Sequence, residues 1–423
     1  MNLSSTQKII ILIFYLILCI LSETLYKEPL FKKSLSFQSS FQKKFNSQFF
    51  SIYFSLITHF GSQVFYIPVF FIFFYFNPIN YCFYITATLI LSLYIDCLLK
   101  IIYHDPRPYW IEKNLFKECE IGYGNPSGHS LGATATYFGI WNLAMTNKFF
   151  RERKKYRIYT LIFTIFFIVN ILISRLYRGV HSIDQIIYGA LLGLGVYYFL
   201  YHIIKGYEWN PKVFFEKIDK GKIFMIPLFI FLVLFVLPFY FIFKASDEEI
   251  NQYNLILNSL CPQIKYYLKY NNNGLLGCLL ILIVFGMYLG LLFVKKKTEI
   301  KFSNLEYKII NWNNTSFLKK FIRGFISLIF ALPIILALIV PETNLLVIFI
   351  FKFGFSFFIT GFTIFGPGIY YGYVLSEKIE EKYFITPIDI NSKNNYSEMN
   401  DEEKGIKNKA SPPIDKFSIV EIH

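Results

Sequence analysis

Residues 158–204 read IYTLIFTIFFIVNILI-SRLYRGVHS-IDQIIYGALLGLGVYYFLYHII. Two apolar runs, 158–173 and 183–204, flank a short polar connection that carries Ser174, Arg175, Arg178 and His181. Neither run alternates polar with apolar residues or shows a helical stripe, so a half-buried strand and a surface helix are both poor fits. A run of about 20 such residues crosses the hydrocarbon core of a bilayer as a helix. The same pattern recurs at 82–102, 130–145, 223–243, 275–294, 325–340 and 345–365. Segment 49–76 is broken by His59, Gly61 and Ser62 and is read as one helix over its second half or more. Residues 9–21 form either a first spanning helix or the apolar core of a cleaved signal peptide. The fold class is therefore all-α, a polytopic membrane protein of nine to ten transmembrane helices. Runs this long and uniform do not suit barrel strands, the other way to satisfy a backbone in lipid.

The composition agrees: 55% of the 423 residues are hydrophobic, 50 are Phe, and 17% are charged, where a soluble domain carries about 25%. The net charge of +14 raises the question of nucleic acid, and its distribution answers it. The basic residues gather in connections between spans: Lys148 to Arg157, Lys205 to Lys222, and Lys295 to Arg323. Those three connections fall on one side if each span crosses once, and such enrichment marks the cytoplasmic side. The partner implied is the lipid bilayer, not nucleic acid. One segment disagrees, with Lys27, Lys32, Lys33, Lys43 and Lys44 on the outer side. The six cysteines show no metal-binding spacing. Cys119 and Cys261 both fall in connections on the outer side, where a disulfide can form.

Three strings stand at the ends of the apolar runs. They are Lys100-(six residues)-Arg107-Pro108, then Pro126-Ser127-Gly128-His129, then Ser174-Arg175-(five residues)-His181. They supply three fixed cations and two imidazoles, a set able to hold a phosphate and cleave its ester without a metal or other cofactor. Each string alone has an ordinary reading: a snorkelling lysine, a capped helix, a capping box Ser182-x-x-Gln185. Together they lie at helix ends that the alternating topology puts on one side of the membrane. Asp96, four residues before Lys100, is placed to aim it inward. Ser127 suits an N-cap, and Gly128 lets the backbone approach a ligand. His181 is the natural nucleophile, with Asp184 or Gln185 available to hold its second nitrogen.

These strings resemble the type 2 phosphatidic acid phosphatase and haloperoxidase superfamily, whose pattern is K-x6-RP, PSGH and SR-x5-H-x3-D. The third string departs after His181, because Gln185 stands at the family's Asp position and Asp184 lies one residue early. Gln there, with Arg107-Pro108-Tyr109-Trp110 and Cys119-Glu120, looks like the glucose-6-phosphatase branch. Gly179-Val180-His181-Ser182-Ile183 looks like lipid phosphate and sphingoid-base phosphate phosphatases. The resemblance implies that Lys100, Arg107, Ser127, Gly128 and Arg175 bind the phosphoryl oxygens, that His129 is the general acid and base, and that His181 is the nucleophile oriented by Asp184 or Gln185. It further implies a lipid phosphate or, alternatively, a sugar phosphate substrate. The membrane would be the endoplasmic reticulum, another endomembrane or the plasma membrane, with the site on the lumenal or extracellular face. An inactive lipid-binding relative is the reading of another class. The expected layout is an N-terminal apolar segment and loop (1–48), a catalytic core (49–205), additional transmembrane helices (206–376) and a flexible polar tail (377–423). The sequons at Asn313 and Asn395 fall on the cytosolic side and are expected to be unused.

Overall fold

The apolar runs fold as helices in the computed structural model. It describes residues 5–62, 65–66, 79–120, 122–205, 211–243, 246–261, 270–301, 317–329, 346–372 and 374–375, and no strand occurs among them. Helix α1 (Ser5–Leu21) passes through a π-turn at Ser22–Tyr26 into α2 (Lys27–Lys44), with α3 (Gln48–His59) next. Then come α4 (Ile79–Tyr103), the short α5 (Pro108–Ile111), α6 (Gly128–Ala144), the short α7 (Lys148–Glu152), α8 (Lys154–Tyr177) and α9 (Ile183–Lys205). The later part contributes α10 (Pro211–Ile242), α11 (Asp247–Leu260), α12 (Tyr270–Leu279), α13 (Ile281–Lys301), α14 (Phe317–Ile329) and α15 (Leu346–Thr363). These helices belong to one compact unit, Met1–Val374; a second, Leu375–His423, is described only at 375.

Among the described residues, six helical segments are long and apolar enough to cross a membrane. They are Ile79–Ile111, Lys154–Tyr177, Ile183–Tyr201, Phe214–Ile242, Gly274–Lys297 and Lys352–Gly372. The expected span at 130–145 is realised as α6, whose 17 residues reach only about 25 Å at 1.5 Å per residue. The first half of 49–76 forms α3 and a turn. The helix expected over its second half, most of the run at 325–340, both sequons and the tail lie outside the described residues.

Lipid, not water, is the solvent for the bundle. Phe163 and Phe166 on α8 are 66% and 62% exposed, and Phe224 on α10 is 79% exposed. Faces this apolar mark a lipid-bathed surface. Helix α4 is the shared wall. One face packs Tyr84, Ile85 and Leu89 with Leu131, Ala135 and Val196 of α6 and α9. The other packs Phe83, Ile90 and Tyr94 with residues of α10, α12 and α13, among them Phe229, Leu275 and Val284. In lipid, helices associate through close packing, which favours small residues at contacts. Gly189 and Gly193 of α9 show this: a Cβ there would stand 2.6 Å from the Ser127 carbonyl oxygen and 2.5 Å from that of Leu131. The approach of α9 to α6 brings the second and third strings together.

Candidate active site

The C-terminal ends of α4 and α8 and the N-terminal ends of α6 and α9 meet at one end of the bundle. Lys100 leaves the last turn of α4, and its Nζ donates to Asp96 Oδ2 at 2.9 Å. Gly128 opens α6 beside that pair; a Cβ there would lie 2.7 Å from Asp96 Oδ2. Its missing side chain therefore makes room for the carboxylate that aims Lys100. Ser127 caps α6, its Oγ accepting from Ser130 N at 3.4 Å and from Ser130 Oγ at 3.0 Å. The Ser127 N–H donates to the Gln185 carbonyl at 3.0 Å, tying the second string to the third.

Arg107 is 2% exposed and held on several sides. Its Nε donates to Gly122 O at 2.7 Å, and its Nη1 donates to Val180 O at 3.1 Å and Glu120 Oε2 at 2.6 Å. Arg175 is fully buried; it donates to Thr58 Oγ1 of α3 and to Glu120 Oε1. Glu120 thus bridges the two guanidinium groups, and its Oε2 lies 3.7 Å from His181 Nε2. Glu118 pairs with Arg178 and lies 3.7 Å from Arg175. Buried charges are tolerated only when paired in this way.

His181 is 1% exposed. Its Nδ1 lies 2.8 Å from Gly124 O and 3.4 Å from Gln185 Oε1, both acceptors. Its Nε2 lies 3.3 Å from Arg107 Nη1, which can only donate. Both neighbourhoods select one tautomer, with the proton on Nδ1 and the lone pair on Nε2. Burial, then the nearby Arg107 and Arg175, hold the imidazole well below its usual range, so His181 is neutral at pH 7. Gln185 performs both roles open to it: Oε1 accepts from Ser182 N at 3.3 Å as a cap and stands beside His181, while Nε2 donates to Pro106 O at 3.0 Å. Among the described residues no hydrogen bond joins Asp184 to His181; its charged neighbours include Asp105 and Glu23, and its Oδ1 is buried without a hydrogen-bond partner.

A cavity of about 250 Å³ opens at this point. Lys100, Arg107, Gly128, His129 and His181 form its polar wall with Asp96 and Glu120; Leu89, Leu93, Tyr66 and Gly132 line the rest. Ser127, Arg175, Asp184 and Gln185 stand behind that wall.

The site has supports that sequence reasoning passed over. Helix α2 presents Ser34, Gln38 and Gln42 on one buried face. Gln38 Nε2 donates to the His181 carbonyl at 2.8 Å, and Ser34 Oγ accepts from Ile183 N at 2.9 Å. Gln42 Nε2 donates to Leu115 O at 3.1 Å and Tyr177 O at 2.8 Å. The loop ahead of His181 turns at Gly179, whose φ of +72° suits glycine and whose Cβ would lie 2.0 Å from Leu115 O. Lys27 pairs with Glu23 and Asp105, each at 2.6 Å, so this member of the discordant basic segment is neutralised locally. Cys119 and Cys261 form a disulfide that joins the loop carrying Glu120 to the end of α11. The signals are weak: Gly124 acts through its backbone, and glutamines four residues apart look like any solvated helix face.

Residues 80–209 match the family model of the PAP2 superfamily. The chain is 28% identical over 178 residues to the glucose-6-phosphatase catalytic subunit 1 of Canis lupus familiaris, a match covering 37% of this chain and 46% of the relative. It is 25% identical over 185 residues to a dihydrosphingosine 1-phosphate phosphatase of Schizosaccharomyces pombe, covering 43% of each. These matches span about half the length of the curated relatives. Among solved structures it is similar to a transmembrane PAP2-type phosphatidylglycerolphosphate phosphatase from Bacillus subtilis, with TM-score 0.40 and 22% identity, covering 47% of this chain and 96% of that one.

Proposed function

Because residues 80–209 match the PAP2 superfamily model, we propose that this integral membrane protein hydrolyses a phosphate monoester carried on a lipid, through a phosphohistidine at His181. The observation that carries the lipid reading is the two-ended cavity. Its polar end gathers Lys100, Arg107, His129 and His181, and its other end is lined by Leu89 and Leu93. Those leucines precede Lys100 on α4 by turns of helix that place them about 16 and 10 Å deeper along the axis. A phosphate at the helix ends would leave an apolar chain pointing into the membrane.

The His181 Nε2 lone pair attacks phosphorus, and the bond to the leaving oxygen breaks as His129, which takes up a proton when the anionic phosphate binds beside it, gives that oxygen the proton. Water then attacks the phosphohistidine, losing a proton to the now neutral His129, and the His181–phosphorus bond breaks to release inorganic phosphate. Lys100, Arg107 and Arg175 offset the negative charge that builds on the phosphoryl oxygens, with the Gly128 N–H at the positive end of α6, which Ser127 caps. The Gly124 carbonyl, with Gln185 next in distance, holds Nδ1–H and so keeps the lone pair on Nε2, where Arg107 Nη1 must release it for attack.

We place the site on the lumenal or extracellular face. Basic connections at the far ends of the helices support this side, as does a disulfide at the site end, since such bonds persist in oxidising compartments. The glucose-6-phosphatase relatives and Gln185 favour a second reading, a soluble sugar phosphate. Phosphate release should be measured on a sphingoid-base phosphate, a phosphatidate and glucose 6-phosphate, with and without chelator. The lipid reading expects kcat/KM at least tenfold higher for a lipid and no loss with chelator; a preference for the sugar overturns it. Wild-type release no faster than that of His181→Ala would mark the chain as an inactive relative.

A further inference from the structure

We propose that Glu120 is a resident carboxylate that occupies the phosphate position between turnovers and yields it to substrate; this rests on the phosphatase reading of the site. Its two oxygens sit where phosphoryl oxygens would have to sit. Oε2 is 2.6 Å from Arg107 Nη1 and 3.7 Å from His181 Nε2, and Oε1 accepts from Arg175. A phosphorus in reach of Nε2, with its oxygens on both guanidinium groups, fills that same space. Two anions cannot share it, so binding one displaces the other.

The means of displacement is local. The Glu120 backbone is pinned by the Tyr109 hydroxyl, which donates to its carbonyl at 2.8 Å and lies 3.3 Å from its N–H. The preceding residue is stapled through Cys119 to Cys261. The side chain is 20% exposed and lines the cavity, so it can swing about its own torsions while the loop stays in place. Glu118 remains beside Arg175 and Arg178 when it does, so the arginine pair keeps one counter-charge. The carboxylate therefore holds the cations assembled without substrate, and its return competes with the inorganic phosphate product.

The test uses the full chain in detergent or vesicles, with inorganic phosphate as the probe. Binding is read from its stabilisation against thermal unfolding and from product inhibition. Glu120→Gln keeps the size, removes the charge and leaves one acceptor oxygen where the two guanidinium groups had two; phosphate should bind at least tenfold more tightly, and substrate KM should fall with it. Equal or weaker phosphate binding by a folded Glu120→Gln protein overturns the proposal. If that variant does not fold, Glu120→Asp, one methylene shorter, should still bind phosphate more tightly than wild type, and the same or weaker binding again overturns it. Should both fail to fold, phosphate in the medium is expected to restore them by taking the carboxylate's place, and no rescue overturns the proposal. Phosphate binding without hydrolysis of any ester would sink the proposed activity and leave this competition standing.

Discussion

Replacing Gly189 by alanine would put a methyl carbon 2.6 Å from the Ser127 carbonyl oxygen, 3.2 Å from Ser127 N and 3.2 Å from Ser130 Cβ. Ordinary contact begins near 3.4 Å, so α9 and the start of α6 must separate by about 0.8 Å (the difference between 3.4 and 2.6 Å). The obstructing atoms are backbone, so no rotamer change relieves the clash. Ser127 caps α6, and Gly128 and His129 come directly after it, so the shift is delivered to one wall of the cavity while His181 moves with α9. A misplacement near 1 Å can cost about a hundredfold in rate, and overpacking costs about 1–3 kcal/mol of stability. Phosphate release by purified Gly189→Ala should therefore show kcat lowered about 30- to 100-fold. Gly221→Ala is the control: its nearest neighbours would be Tyr288 Oη at 3.5 Å and Met225 Cγ at 3.7 Å, and its activity should match wild type. Gly189→Ala with kcat within twofold of wild type and an unchanged unfolding temperature would refute the idea that this glycine sets the geometry of the site.

Gln38→Leu removes the side-chain donor at the His181 carbonyl; an unsatisfied buried acceptor costs about 1–3 kcal/mol, so the variant should unfold at a lower temperature, and kcat should fall as the His181 backbone loses its anchor. A stable Gln38→Leu enzyme at full rate would show that α2 only fills space. His181 titrates below its unfolded value, so the unfolded chain binds the extra proton first; stability is unaffected by this group above about pH 6.5 and declines by up to about 1.4 kcal/mol per pH unit below it. Unfolding temperatures between pH 7.5 and 4.5 should fall less steeply in His181→Ala than in wild type, and parallel curves would contradict the neutral assignment. The Cys119–Cys261 bridge closes a separation of 142 residues, and replacing both by serine should cost about 2–4 kcal/mol of stability, read as a lower unfolding temperature. An unchanged temperature after confirmed loss of the bridge would count against its role as a staple.

The expectation that Asp184 or Gln185 holds His181 considers side chains alone. The atom nearest Nδ1 is a backbone oxygen at Gly124, and no residue type advertises a carbonyl. Glu120 stands out in the sequence only as part of a resemblance. Its role depends on Arg107 and Arg175 approaching it from two separate helical connections, a coincidence that exists in space and not along the chain. The span expected at 130–145 is a similar case. Its small residues, Gly132, Ala133, Ala135 and Gly139, make α6 a short inner helix packed on three neighbours, whereas hydropathy weighs it like a lipid-facing one.

The order of residues by itself determined the properties that rest on local chemistry: which runs must be helical in lipid, which ends carry Lys100, Arg107, His129, Arg175 and His181, and which end faces the basic connections. Such properties are periodic or compositional, so a linear reading reaches them. Tertiary structure alone decided the tautomer of His181, the carboxylate lodged between two guanidinium groups, the polar ladder of α2 under the nucleophile and the 2.6 Å approach at Gly189. Each is a contact between segments far apart in the chain, set by how close two backbones can come, and that distance is a property of the packed whole.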